Sequence, residues 1–185
     1  MNKKKQLLSG ALCAVCLAVS LPVAAEGWRP DGYLVQAAVG EDRTASATLG
    51  LSWAWAWKYS LLGAEVSGLT EAYISHWNAP SVDGGRRGFV QVGVVPVLRL
   101  RPGEGASPWF AEAGIGLSTM DRHFETTTKK FSMAFNFVDV VGIGRSFGAA
   151  RSQEIGIRLQ HVSNGSLRPP NPGQNFVQLR YAAAF

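Results

Sequence analysis

Cysteine is nearly absent from this 185-residue chain: Cys13 and Cys16 are the only two, and both fall within the first 25 residues. That segment joins a charged head (Lys3, Lys4, Lys5) to the apolar stretch LLSGALCAVCLAVSLPV and ends on the small residues Val23, Ala24 and Ala25, the pattern of a cleaved secretory signal peptide. The mature chain is then expected to start near Glu26, with neither a disulfide framework nor thiol chemistry. Basic excess is also small. The signal carries 3 of the 18 Lys and Arg residues, so the formal charge of +5 falls to about +2 and the main support for a nucleic-acid partner goes with it. Beyond the signal there is no apolar run of about 18 residues that would span a bilayer as a helix. There is likewise no heptad pattern and no linker, so residues 26–185 are expected to form one domain. No phosphate-cradling Gly loop, nucleotide motif or zinc signature occurs. His76 and His123 stand alone without metal-ligand spacing, so neither a metal nor a cofactor is expected.

What the sequence has in abundance is a period of two. In TASATLGLSWAWAW, Ala45, Ala47, Leu49, Leu51, Trp53, Trp55 and Trp57 share one parity while Thr44, Ser46, Thr48, Gly50 and Ser52 share the other, an alternation that a helix would scramble. Similar stretches begin at Gly32, Leu61, Phe89, Trp109, Phe131, Gln153 and Asn175, making eight strand candidates separated by Gly, Pro, Asp and Ser clusters. A soluble sandwich or lipocalin-like barrel would expose a face rich in Lys and Glu. Here the polar parity is Gly, Ser, Thr and Gln with a few carboxylates (Glu65, Glu71, Glu112), which suits a narrow hydrogen-bonded interior better.

The fold expected is therefore all-β: an eight-stranded antiparallel transmembrane barrel of the bacterial outer membrane, crossing it many times. Trp53, Trp55, Trp57, Tyr59, Trp77 and Trp109 are expected to form its aromatic girdle. Phe185 shares parity with Val177, Leu179, Tyr181 and Ala183, like the C-terminal aromatic signal of such barrels. Pro96 is the main irritant and suits a bulge or a strand end. With both termini periplasmic, the connections KYS, RPGEGAS and GAAR are inner turns; NAPSVDGGRRG, DRHFETTTKK and NGSLRPPNPGQ are longer outer loops. Eight strands enclose side chains rather than a pore. Glu65, Glu71 and Glu112 with Arg99 and Arg158 are expected to pair inside as filling.

The segment HVSNGSLRPPNPGQN poses the functional question. Ile155, Ile157, Leu159, His161 and Ser163 share one parity of strand seven, so an aliphatic, lipid-facing stripe ends in two polar residues. Either the strand leaves the hydrocarbon after Leu159, or His161 and Ser163 are a base and a nucleophile. The second reading needs an orienting group, and Asn175 at the start of strand eight has the same facing. Asp139 shares the parity of Phe135, Phe137 and Val141, which requires a bulge that turns it inward or a partner on the lipid face.

HVSNGSLRPPNPGQNF followed by QLRY resembles the His-x-Ser-Asn signature of the outer-membrane lipid A 3-O-deacylases, the PagL family; LGLSWAWAW and PWFAEAGIGLS are similar to it as well. The resemblance covers most of the mature chain. It implies a serine esterase acting on the 3-position acyl chain of lipid A, with Ser163 as nucleophile and His161 as base. It also implies oxyanion or substrate-positioning roles among Asn164, Gly165, Ser166 and Asn171. One departure stands out. The family's third member is usually a Glu, and Asn175 occupies that place, able to orient an imidazole but not to compensate its charge. Arg43, Arg86, Arg87, Arg122, Lys129, Lys130 and Arg168 lie in or beside outer loops, where they either meet lipid A phosphates or form a solvated rim. Lipopolysaccharide and the outer membrane are the expected partners, and a homodimer is allowed. A non-catalytic adhesin or scaffold barrel, and a deacylase relative weakened by its missing acid, remain the alternatives.

Overall fold

A computed structural model describes residues 28–185; the expected signal peptide and both cysteines lie outside the described residues. Eight strands, β1 (Gly32–Gly40), β2 (Ala45–Leu61), β3 (Ala64–Pro80), β4 (Arg86–Pro102), β5 (Trp109–Met120), β6 (Phe135–Phe147), β7 (Gln153–Ser163) and β8 (Gln174–Ala184), follow the eight alternating segments. Each pairs antiparallel with its neighbour in sequence, and β8 closes on β1 with Tyr33 opposite Ala183. Closure leaves no sheet edge, as a strand-built membrane span requires. The outer wall carries an exposed aliphatic belt that includes Val35, Leu49, Ile74, Val94, Ile115, Ile143, Ile157 and Leu179.

The interior is polar, as the small polar parity indicated. Arg158 grips Glu71 through both terminal nitrogens, at 2.6 and 2.9 Å, and Glu112 through Nε at 2.5 Å. Arg99 joins Glu112 to Glu154, Arg180 joins Glu71 to Glu154, and Arg101 reaches Glu154 at 3.9 Å, so three carboxylates are interlocked with four guanidinium groups. Buried charges persist only when paired and hydrogen-bonded in this way. Arg180 and Glu154 extend the expected group; Glu65 instead pairs with Lys58 at 3.1 Å near the short-turn end. Beside this network a gap of only about 10 Å³ opens between Thr48, Tyr73, Ser75 and Gln160.

Several details differ from expectation. β2 runs on through KYS, and the turn after it is Leu62–Gly63, both at positive φ (53° and 77°), the geometry of a tight two-residue hairpin. Pro96 sits at neither a bulge nor a strand end. The β4–β5 ladder is simply interrupted between Val94 and Val97 with the register kept, and Gly114 and Gly116 face that gap, where an added Cβ would meet the Pro96 and Val94 carbonyls at 2.4 and 2.2 Å. The bulge lies instead in β2, between Ala54 and Lys58, where Trp55 folds over Gly68 and bonds Thr70.

Trp77 is not part of the girdle. It is 1 % exposed and points inward with Glu71 and Ser75, whose parity it shares. At the long-loop end it packs edge-on against Phe176 (4.6 Å) and Phe124 (5.3 Å), with Phe89 and Phe131 completing the cluster. Phe124 and Phe131 come from the connection after β5. That loop turns back on itself through Thr126–Lys129 and Phe131–Phe124 backbone bonds and seats its aromatic ends in the barrel mouth.

Candidate functional site

β7 sends Ile155, Ile157 and Leu159 outward and buries Arg158 and Gln160 inside. The same alternation puts His161 on the outer wall near the long-loop end. Register then sets its neighbours: Asp139 of β6 lies opposite it on one side and Asn175 of β8 on the other. The pairing from Ile115 through Asp139 to His161 is unbroken, so no bulge turns Asp139 inward. A polar row thus crosses the wall above the apolar field of Val141, Leu159 and Val177, and the two together line an open cleft of about 610 Å³.

Ser163 follows His161 on the same face, opposite Phe137 and only 9 % exposed. Same-face positions two apart are separated by about 7 Å of backbone, a gap that an imidazole and a hydroxymethyl group can close. His161 Nδ1 lies 2.7 Å from Asn175 Oδ1. Asn175 Nδ2 donates to Glu41 Oε1 at 3.1 Å, and its backbone N–H donates to Glu41 Oε2 at 3.3 Å. The direction of this chain follows from chemistry. An ionised carboxylate only accepts, so the Asn175 amide nitrogen faces Glu41 and its oxygen faces the ring; that oxygen also only accepts, so Nδ1 carries the proton and Nε2 is left as the acceptor.

Glu41 comes from the short connection between β1 and β2. Hydrogen bonds from Lys129 and then Asn175 hold its carboxyl below the usual range, against some desolvation. Lys129 pairs with that carboxylate and also donates to the Gly173 carbonyl at 2.8 Å, while Gln174 Nε2 donates to the Glu41 carbonyl at 3.0 Å. Gly173, at φ 65°, lies against the imidazole, where an added methyl would come within 2.6 Å of His161 Cε1. Gly165, at φ 62°, lies against the Phe137 ring, which an added methyl would approach to 2.9 Å.

The four expected oxyanion residues separate in the loop after β7. Asn164 is buried, and its side-chain nitrogen donates to Ser132 Oγ (2.9 Å) and to the Arg168 carbonyl (2.7 Å), so it ties the loop down. Asn171 Oδ1 accepts from the Asn164 backbone N–H at 2.9 Å, which leaves the Asn171 amide nitrogen as a donor. Gly165 and Ser166 are consecutive residues at positive φ, and their N–H groups make no hydrogen bond among the described residues.

The basic residues separate too. Lys129 is committed to Glu41, and Arg86 is held by Asn78 and by the Arg43 carbonyl, so neither is the free headgroup cation expected of it. Lys130 pairs with Glu125 and Arg122 with Asp121 at the surface. Arg43, Arg87 and Arg168 are exposed and form no ion pair among the described residues. Sequence reasoning passed over Glu41. The signal was barrel closure itself, which brings the β1–β2 connection beside the start of β8.

A closed eight-stranded barrel with an aliphatic belt, a filled charged interior and a bonded His161–Asn175 pair on its outer wall defines a small outer-membrane β-barrel protein. Comparison with known proteins narrows that class. The family model described as lipid A 3-O-deacylase (PagL) matches residues 45–184, and the chain belongs to this family. It is 38 % identical over 113 residues to the lipid A deacylase PagL of Bordetella bronchiseptica, covering 60 % of this chain and 58 % of that protein's length. It is 31 % identical over 151 residues to the lipid A deacylase PagL of Pseudomonas aeruginosa, covering 80 % and 83 %. The crystal structure of the outer membrane enzyme PagL superposes with a TM-score of 0.71 at 25 % identity, over 83 % of this chain and 99 % of that one.

Proposed function

We propose that the protein is a serine esterase that removes the 3-position ester-linked acyl chain of lipid A in the outer leaflet, without a cofactor. The observation that carries this reading is the His161–Asn175 hydrogen bond on the lipid-facing wall, two residues from Ser163 and open to an apolar cleft. The polar row stands directly above the apolar field of Val141, Leu159 and Val177, an arrangement that suits an acyl chain laid along the wall with its ester against the row.

In this mechanism His161 Nε2 takes the Ser163 proton as Oγ forms a bond to the ester carbonyl carbon. The negative charge that develops on the carbonyl oxygen needs fixed donors. The Asn171 amide nitrogen and the N–H groups of Gly165 and Ser166 are assigned that role, and Asn164 is assigned to holding their loop. Collapse breaks the bond to the sugar 3-oxygen, which takes the proton from His161. Water, deprotonated by the same imidazole, then attacks the acyl-serine; the bond to Oγ breaks, Ser163 takes the proton back from His161, and one fatty acid is released. Arg43, Arg87 and Arg168 are the cations left to meet lipid A phosphates.

Purified protein mixed with lipid A in detergent micelles is expected to release one fatty acid per lipid A, and the His161→Ala and Ser163→Ala variants none. Equal release by the Ser163→Ala variant would overturn the reading.

A further inference from the structure

Resting on that esterase reading, we infer that Glu41 is a positioning residue for the reaction, supplying through the Asn175 amide the negative charge that the third position of the site lacks. Three observations on different elements carry this. Asn175 donates to both Glu41 oxygens, one bond from its side chain and one from its backbone, so carboxylate and amide meet in a single defined geometry. The far end of the same amide meets His161 Nδ1 at 2.7 Å, which makes the chain carboxylate–amide–imidazole continuous. Glu41 is itself fixed, by Lys129 at its carboxylate and by Gln174 at its carbonyl, and no rearrangement is needed to complete the chain.

An amide between a carboxylate and an imidazole is polarised by both. Its oxygen becomes a better acceptor as the ring gains its proton in the transition state, because chains of hydrogen bonds strengthen one another. The remaining charged groups do not offer the same route. Asp139 lies across β6–β7 from His161 but makes no hydrogen bond to the imidazole, and Lys129 sits on the far side of Glu41, where it anchors the carboxylate and partly offsets it. Glu41 therefore replaces, one residue removed, part of what a carboxylate at position 175 would do directly.

The test is a cycle of four purified proteins assayed on lipid A in micelles: parent, Glu41→Gln, Asn175→Glu and the double variant. Glutamine at this position still accepts from Asn175 but without the charge, so kcat is expected to fall roughly tenfold with KM little changed. Glu41→Asp is expected to recover part of that loss. In the Asn175→Glu background a carboxylate already faces His161 and Glu41 becomes its repulsive neighbour, so the double variant is expected to be at least as active as Asn175→Glu alone. A similar loss in both backgrounds, or a change confined to KM, would reduce Glu41 to a loop anchor and overturn the inference. A Glu41→Gln protein as active as its parent would do the same. A parent that releases no fatty acid would overturn the esterase reading, and this inference with it.

Discussion

Replacing Gly173 with alanine tests how tightly the imidazole is held. The added methyl would lie 2.6 Å from His161 Cε1, whereas ordinary contact begins near 3.4 Å, so the ring has to retreat by about 0.8 Å. The neighbouring ring atom, Nδ1, is bonded to Asn175 at 2.7 Å, and that bond cannot survive such a shift in its present alignment. Misplacement of a reacting group by about 1 Å can cost on the order of 100-fold in rate. We therefore expect the Gly173→Ala protein to lose about 10- to 100-fold in kcat. The positive φ of 65° adds strain of only about 1–2 kcal/mol at one residue of a loop outside the strands, which leaves the barrel folded. Fatty-acid release from lipid A micelles measures the first quantity, and thermal unfolding followed by circular dichroism measures the second. A folded Gly173→Ala protein within twofold of the parent rate would show that His161 is not confined by this loop, and the positioning described above would be refuted.

Three further outcomes are expected. The Arg158→Leu protein leaves Glu71 and Glu112 each short of a buried partner, and its stability in urea titrations should fall by about 3–5 kcal/mol; a change below about 1 kcal/mol would show that the network is not structural. The Trp77→Ala protein opens the aromatic cluster in the barrel mouth and should lose about 3–5 kcal/mol in the same titration. The Glu41 carboxyl is lowered in the folded protein relative to its ordinary 4.5. Its tie between the loops therefore contributes stability fully above that value and loses it as pH falls through the lower folded one. Carbon-13 NMR of the labelled side chain should show Glu41 titrating below 4.5, and moving upward in the Lys129→Ala protein.

Much of the architecture was legible because period-two alternation is a local property, and each strand shows it within about ten residues. The same parity placed His161 and Ser163 on the lipid-facing wall before any contact was known. It also sufficed for Trp77, which shares the facing of Glu71 and Ser75 and was assigned to the girdle on residue type alone. Phe124 was hidden for another reason: it sits in a loop of mostly charged and hydroxyl residues, and only the folding of that loop over the barrel mouth makes it core. Phe131 opens the sixth alternating segment in the sequence, but β6 starts only at Phe135, and Phe131 joins Phe124 in the loop instead. Glu41 was hidden because its contact spans more than 130 residues and depends on closure between β1 and β8. Lys129 looked like a rim cation for the same reason, since its partner belongs to a loop distant in sequence.

Mass spectrometry of lipid A extracted from cells that express this chain tests the proposed function most directly. The parent should convert lipid A to a species lighter by one ester-linked acyl chain at the 3-position, and cells expressing the Ser163→Ala protein at equal level in the outer membrane should retain the full set. Unchanged lipid A in the first cells, or the same loss in the second, would contradict a Ser163-dependent deacylase.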